Sequence, residues 1–485
     1  MLYHSTRSAE PTVNSAQAVL NGLATDGGLY VPEKIPAIDV AACLKEDTFA
    51  QATRIISALL PDIDNMQELV RRAYTGKFSS PELTPTVDTG RFTVLELFRG
   101  PTSAFKDVAL CMLPQLLTTA KASIGMKEDI LILTATSGDT GKAALSGFQD
   151  VPGVKICVFY PHGGVSAVQR AQMVTQEGNN VAVCAVEGNF DDAQTGVKNI
   201  FAAAEDGVLP GSNGNRLSTA NSINIGRLAP QVTYYFKAYA DLLSRGQIAM
   251  GDKVNFCVPT GNFGDILAGY LAKKMGLPVG VLVCASNANN VLTDFIRTGT
   301  YDRRRPLMKT ISPSMDILVS SNLERLLYLM SQDTELVASL MNQLNTEGAY
   351  TVPEEMQKAI NEEFWAGYCT DAEASATIKS VWEQQNYLCD THTATAWNVA
   401  EQYVAQTGDA RPMVVLSTAS PYKFPAAVLS ALGENAETDE FDMMEQLCQK
   451  TGVAIPQNLQ GLKTRKERHT GVIAKSAMLD FVKSL

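Results

Sequence analysis

Residues 98–107 read FRGPTSAFKD. The run before them, Thr93-Val94-Leu95-Glu96-Leu97-Phe98, is apolar and β-branched and reads as a strand. Gly100-Pro101 breaks regular structure, and Thr102 or Ser103 is placed to cap a helix with apolar positions at Phe105, Val108, Ala109, Met112 and Leu113. Strand, break and helix in that order are the unit of an α/β fold. Lys106 then stands at the positive end of the helix, where the macrodipole disfavours an ammonium and burial between Phe105 and Val108 lowers its pKa further. An amine held partly neutral is what imine formation with an aldehyde requires. Taken alone, such a lysine more often carries its charge out to water.

The same texture continues outward. Near-continuous apolar runs at 129–136, 154–160, 181–186, 253–258, 278–285 and 412–417 predict strands covered on both faces, hence a parallel sheet. Helical patterns at 141–149, 166–177, 191–205, 229–245, 264–275 and 424–432 alternate with them. This is a doubly wound α/β pattern, in which ligands bind at the carboxyl ends of strands. Residues 1–90 form a separate opening section with helices near 40–60 and 64–77, and 313–410 is read as mostly helical.

With 485 residues, the chain is too long for one simple core. A net charge of −11 argues against nucleic acid and anionic membranes as main partners. The nine cysteines form no CxxC pair and several lie inside apolar runs, the usage of buried reduced thiols in a cytoplasmic protein. The opening MLYHSTRSAEPT has no apolar segment of signal-peptide type, and no stretch is long enough to span a membrane. Cys389 and His392 are the one close Cys/His pair, so no metal is expected. The basic run Lys463–His469 is read as a solvated tail.

Loops rich in Gly, Ser, Thr and Asn sit at or near the strand ends. Thr134–Lys142 (TATSGDTGK) lacks the glycine that a nucleotide-binding loop needs at Thr136, and Ala143 follows its lysine. What remains are hydroxyls and amides at a helix start, suited to a carboxylate or to a structural N-cap turn. Val258–Asp265 (VPTGNFGD) lets backbone amides approach a phosphate, or is a plain strand-to-helix turn. Ser417–Phe424 (STASPYKF) offers the Thr418 hydroxyl to a ring nitrogen or to a helix cap. Asn221–Leu228 (NSINIGRL) offers amides and one guanidinium for a second phosphate or a carboxylate, or for a surface ion pair. His392 reads as a satisfied structural histidine, with proton carriage as the alternative.

The lysine motif PTSAFKD, followed in order by SGDTG, NSINIGRL, GNFGD and STASPYKF, resembles the pyridoxal-phosphate (PLP) enzymes of the tryptophan-synthase-β type, and within them the threonine synthase family. The opening STR…GLATDGGLYVPE and Ser312–Ile317 (SPSMDI) share this resemblance, which covers nearly the whole chain. Departures fall at Ser103, Thr391 and Ser420, where the family pattern has an apolar residue, a proline and a histidine.

The resemblance implies fold type II: doubly wound, mainly parallel sheets in a large PLP-binding domain (91–128 and 220–485, with the helical insert near 313–410), a small nested α/β domain (129–219) and the N-terminal domain 1–90. It implies pyridoxal 5'-phosphate on Lys106 as a Schiff base, with the same lysine shuttling protons. Gly261, Asn262, Phe263, Gly264 and Asp265 would hold the cofactor phosphate, and Thr418 the pyridine nitrogen. Ser137, Asp139 and Thr140 would contact the substrate carboxylate or the cofactor ring oxygen. Asn221, Ser222, Asn224 and Arg227 would form the substrate-phosphate site. The implied reaction converts O-phospho-L-homoserine and water to L-threonine and phosphate, the last step of threonine biosynthesis, in a monomer or homodimer. A related phospholyase or serine/threonine dehydratase would use the same lysine and phosphate loop. A PLP-free binding or scaffold relative would not need to keep Lys106 and GNFGD.

Overall fold

The computed structural model describes residues 1–485 apart from 205–206, 212–213 and 436–438. Its central sheet has the strand order Phe364–Tyr368, Val279–Ser286, Val254–Pro259, Met413–Ser417, Thr93–Glu96 and Thr86–Asp88. All neighbours run parallel except the last pair. A second sheet, wholly parallel, is ordered Val472–Ala474, Val181–Glu187, Val154–Pro161, Ile130–Ala135 and Arg216–Ser218. Every strand expected from the apolar runs is present, and the parallel arrangement follows from their burial on both faces.

Residues 472–485 are expected with the large unit, but Val472–Ala474 adds an edge strand beside Val181–Glu187, and Met478 and Val482 pack in the core beneath that second sheet. The basic run before them is mostly exposed, as expected of a solvated tail, and is tied down at a few points. Arg468 and His469 donate their amides to Val174, and Arg170 pairs with Glu467. The insert near 313–410 is helical as expected but contributes the edge strand Phe364–Tyr368 to the central sheet. The expected helix over 40–60 is broken into Val40–Cys43 and Thr48–Leu59. The helix expected over 191–205 spans Phe190–Ala202, and residue 205 lies outside the described residues.

The helix Lys106–Ser123 is the spine of the molecule, with most of its side chains buried. It packs so closely on the helix Asp139–Phe148 that a Cβ at Gly147 would lie 2.0 Å from the carbonyl oxygen of Leu110. Its start differs from expectation. Neither Thr102 nor Ser103 caps it; Thr102 instead binds the carboxylate of Asp107 through its amide at 2.8 Å and its hydroxyl at 2.6 Å.

The N-terminal section is anchored by charge as well as by core. Arg7 makes a bidentate contact to Glu324, with both bonds at 2.8 Å. Arg325, fully buried, donates to the carbonyls of Tyr30 and Ile223 and to the side chain of Asn322.

Candidate active site

The loops singled out in the sequence meet at the carboxyl ends of the strands. The Lys106 turn and the Ser417–Phe424 loop are joined by backbone bonds, Phe105 to Thr418 at 2.8 Å and Ser420 to Ser103 at 3.1 Å. Ser420 and Ser103, both departures from the family pattern, therefore touch each other. Ser103 also donates its hydroxyl to Asn458 at 3.0 Å.

Lys106 is partly covered, with its ammonium 5.1 Å from the centre of the Phe105 ring. Its pKa is pushed down to about 8, first by burial and then by the cations Arg227 and Lys423, against Asp139 and Asp107, which favour the charged form. The sequence anticipated the direction, and burial is its main cause.

Asp139 opens the helix Asp139–Phe148 and is buried. Burial alone would raise its pKa, but Lys423 and Lys106 pull it well below the usual carboxylate range. Its Oδ1 accepts from Lys423 at 2.6 Å and from Gln169 at 2.9 Å. Ser137 beside it is exposed and Thr140 partly so. The loop is shaped by Thr136, whose hydroxyl accepts the amides of Gly138 and Gly141. Gly138 has φ +135, and a Cβ there would strike the side chain of Gln169 at 2.4 Å, so only glycine fits.

The phosphate-type loop ends at the helix Gly264–Lys274, whose first-turn amides have no partner within the helix. Its carbonyls are held from behind: Gly261 accepts from the Ser320 hydroxyl at 2.7 Å, and Asn262 accepts from the amide and side chain of Asn322. Phe263 takes φ +61 and buries its ring against Phe364, so it can lend the loop only its backbone. Asp265 is likewise turned away from the role expected for it. Its carboxyl accepts from Tyr234 at 2.5 Å and Tyr235 at 3.0 Å, and burial pushes it up to about 7.

In the segment 221–228, Ser222 lies against Gly264. Asn224 caps the short helix Ile225–Leu228 and donates to the carbonyl of Val19, which uses both ends of its side chain and makes it structural rather than a substrate contact. Asn221 keeps its side chain free of such duties and is partly exposed. Arg227 is only 2% exposed, binds the carbonyl of Ala220 at 2.8 Å and leaves Nε without a partner among the described residues. Burial lowers its pKa to about 10. A buried guanidinium with an open donor is costly unless an anion completes it.

His392 is held on both sides. Its Nε2 accepts the amide of Ser314 at 3.2 Å, so its proton sits on Nδ1 and is donated to Asp390 at 2.7 Å. Ser314 in turn packs on the phosphate-type loop, where a Cβ at Gly261 would lie 2.9 Å from its carbonyl oxygen. The histidine is thus a brace behind that loop. Two residues escaped the sequence reading. Lys423 stood inside a quoted motif, but nothing local marked it as fully buried; Asn458 had no signal at all.

A phosphorylated aldehyde needs an amine that loses its proton near neutral pH and a row of amide donors for its phosphate. Lys106 and the start of Gly264–Lys274 provide both, so the residues fit pyridoxal phosphate. A family model described as pyridoxal-phosphate dependent enzyme matches residues 73–419. The fold and site therefore define a PLP-dependent enzyme of fold type II. Models for the threonine synthase N terminus and C-terminal region match residues 2–74 and 393–483. Threonine synthase of Saccharomyces cerevisiae is 36% identical, with 96% of this chain and 94% of the yeast protein covered. A PLP-bound threonine synthase from Brucella melitensis has a similar structure, with a TM-score of 0.88 at 38% identity, covering 100% of this chain and 99% of that one. Threonine synthase-like 1 of Homo sapiens is 40% identical over 86% of this chain, which spans 58% of the human protein's length. The chain belongs to the threonine synthase family.

Proposed function

We propose that this protein converts O-phospho-L-homoserine and water to L-threonine and phosphate, with pyridoxal 5'-phosphate carried on Lys106 as a Schiff base. The observation that carries the reading is the pairing of a lysine lowered to about 8 with a buried guanidinium whose Nε is open. The first suits a residue that must lose and regain a proton, and the second suits a phosphate that must be bound and released.

When bound, pyridoxal phosphate supplies the electron sink for negative charge at the substrate Cα. The chain supplies the rest. Lys106 Nζ takes the Cα proton and returns it later. The amides of Gly261, Asn262, Phe263 and Gly264 and the first turn beyond hold the cofactor phosphate. Asp265 supports that turn through its two tyrosine partners rather than by touching phosphate. Thr418 presents a hydroxyl to the ring nitrogen. Ser137, Thr140 and the helix start at Asp139 receive the substrate carboxylate. Arg227, with Asn221 and Ser222, receives the substrate phosphate. All nine cysteines are unpaired, which supports a reducing compartment such as the cytoplasm. No helix among the described residues is long and apolar enough to cross a membrane.

Product analysis tests the assignment. Purified protein given O-phospho-L-homoserine should release phosphate and form threonine in equal amounts. Accumulation of 2-oxobutyrate as the main product would assign the chain to a dehydratase or phospholyase instead.

A further inference from the structure

Lys423 is fully buried, yet no sequence signal set it apart. Its ammonium reaches Asp139 at 2.6 Å and the carbonyl of Thr102 at 3.2 Å. These two targets lie on different units: Thr102 is in the turn that carries Lys106, and Asp139 opens the helix of the nested unit. The helix Ala167–Val174 makes the same bridge a second time. Gln169 donates to Asp139 at 2.9 Å, and Gln172, one turn later, donates to the Thr102 carbonyl at 3.3 Å. Both donors to Asp139 converge on Oδ1, which fixes the carboxylate's orientation.

An ion pair taken wholly out of water is a weak source of stability compared with an apolar pair of the same volume. Its position suggests a different use. Asp139, at the start of its helix, and Lys423, on the Ser417–Phe424 loop, both act on the charge of Lys106. The other charges acting on Lys106 are Arg227 and Asp107. Lys142 also lies within the field of Lys423 and Asp107.

We propose that Lys423 is a positioning residue that holds Asp139 beside Lys106 while cancelling part of its charge, so that Asp139 stays ionised there without fixing the proton on Lys106. The proposal rests on the reading that Lys106 is the cofactor lysine. Removal of the Lys423 charge leaves Asp139 uncompensated, and Lys106 then keeps its proton to higher pH. Removal of the Asp139 charge has the opposite sign.

The test is the pH dependence of Schiff-base formation in the full chain. The cofactor is stripped with hydroxylamine, pyridoxal 5'-phosphate is added back, the adduct is trapped with borohydride, and the labelled peptide is identified by mass. For Lys423→Met the midpoint should rise, slowing labelling of Lys106 at pH 7.5 about tenfold. Lys423→Arg should stay near the unchanged protein. Asp139→Asn should lower the midpoint, and Lys423→Met added to Asp139→Asn should raise it by less than Lys423→Met does alone, because the carboxylate that Lys423 holds is gone. If Lys423→Met alone does not fold, Lys423→Gln, which keeps a donor for Asp139 without the charge, should show the same rise. A midpoint unmoved by loss of the Lys423 charge with Asp139 present, or a rise of equal size with and without the Asp139 carboxylate, overturns the proposal. Labelling of the unchanged protein elsewhere than Lys106 overturns the functional reading itself.

Discussion

The backbone amide of Phe105 donates to the carbonyl of Thr418 at 2.8 Å. Residues far apart in sequence are thereby joined directly beside Lys106, and the Ser420-to-Ser103 bond closes a short ladder around the isolated bridge between Ala104 and Ala419. The lysine and the threonine proposed for the cofactor ring thus share one rigid piece of backbone. Catalytic groups held this way need no reorganisation when substrate arrives.

Lys106→Ala should lower threonine formation by about 10³-fold or more, because both the point of attachment and the proton carrier are lost. Lys106→Arg should do no better, since a guanidinium does not give up its proton in this range. In the unchanged protein, cofactor capture should accelerate as pH rises through about 8, where the amine becomes neutral. Threonine formation from O-phospho-L-homoserine reads the two variants, and borohydride trapping followed by peptide mass measurement reads the pH dependence.

Arg227→Ala should raise KM for O-phospho-L-homoserine by about 10- to 100-fold, the range for losing a charged hydrogen bond of about 1.5–3 kcal/mol. Steady-state kinetics with the phosphorylated substrate measure it. An unchanged kcat/KM would remove Arg227 from the substrate site.

Thr418→Asp should shift the balance from elimination toward transamination. A hydroxyl does not need to keep the pyridine nitrogen protonated, whereas a carboxylate favours the protonated ring and a deeper electron sink. The ratio of threonine to transamination products measures this, and no change in the ratio would argue against the role given to Thr418.

Asp265→Asn should flatten the dependence of stability on pH. The carboxyl is raised by burial from 3.8 to about 7, so the folded state binds its proton more tightly than the unfolded state. Its contribution is fully present below the unfolded value and is lost as pH rises through about 7. Asparagine keeps an acceptor for Tyr234 and Tyr235 but does not titrate. Tm measured from pH 4 to 8 should fall less steeply in the variant, and parallel curves would mean that Asp265 is ionised throughout.

His392→Gln should weaken cofactor binding by about fivefold, the effect of losing one hydrogen bond worth about 1 kcal/mol behind the phosphate-type loop. The pH profile of kcat should keep its shape, because His392 braces Ser314 rather than moving a proton. Loss of one limb of that profile would make the histidine a proton carrier instead.

Much of the architecture was legible because its causes are local. Runs such as Ile130–Ala135 and Val254–Pro259 are apolar on both faces, and only a parallel sheet between helices buries them. The short edge strands Phe364–Tyr368 and Val472–Ala474 have no such pattern, since each exists through a partner strand elsewhere in the chain. Lys106 could be singled out as a candidate from its helix start and its neighbours, and the phosphate-type loop as a candidate from its glycines. Asn224 and Asp265 could not be read correctly, because an amide or a carboxylate in a glycine-rich loop suits a ligand and a cap equally well.

The sequence by itself therefore determined the alternation of strands and helices, the lysine, and the loops at the strand ends, all of which follow from residue type and spacing. Tertiary structure alone decided what those side chains face. It turned Asp265 to two tyrosines, set His392 between Asp390 and Ser314, and buried Lys423 against Asp139, because burial and pairing depend on segments that meet only after the chain has folded.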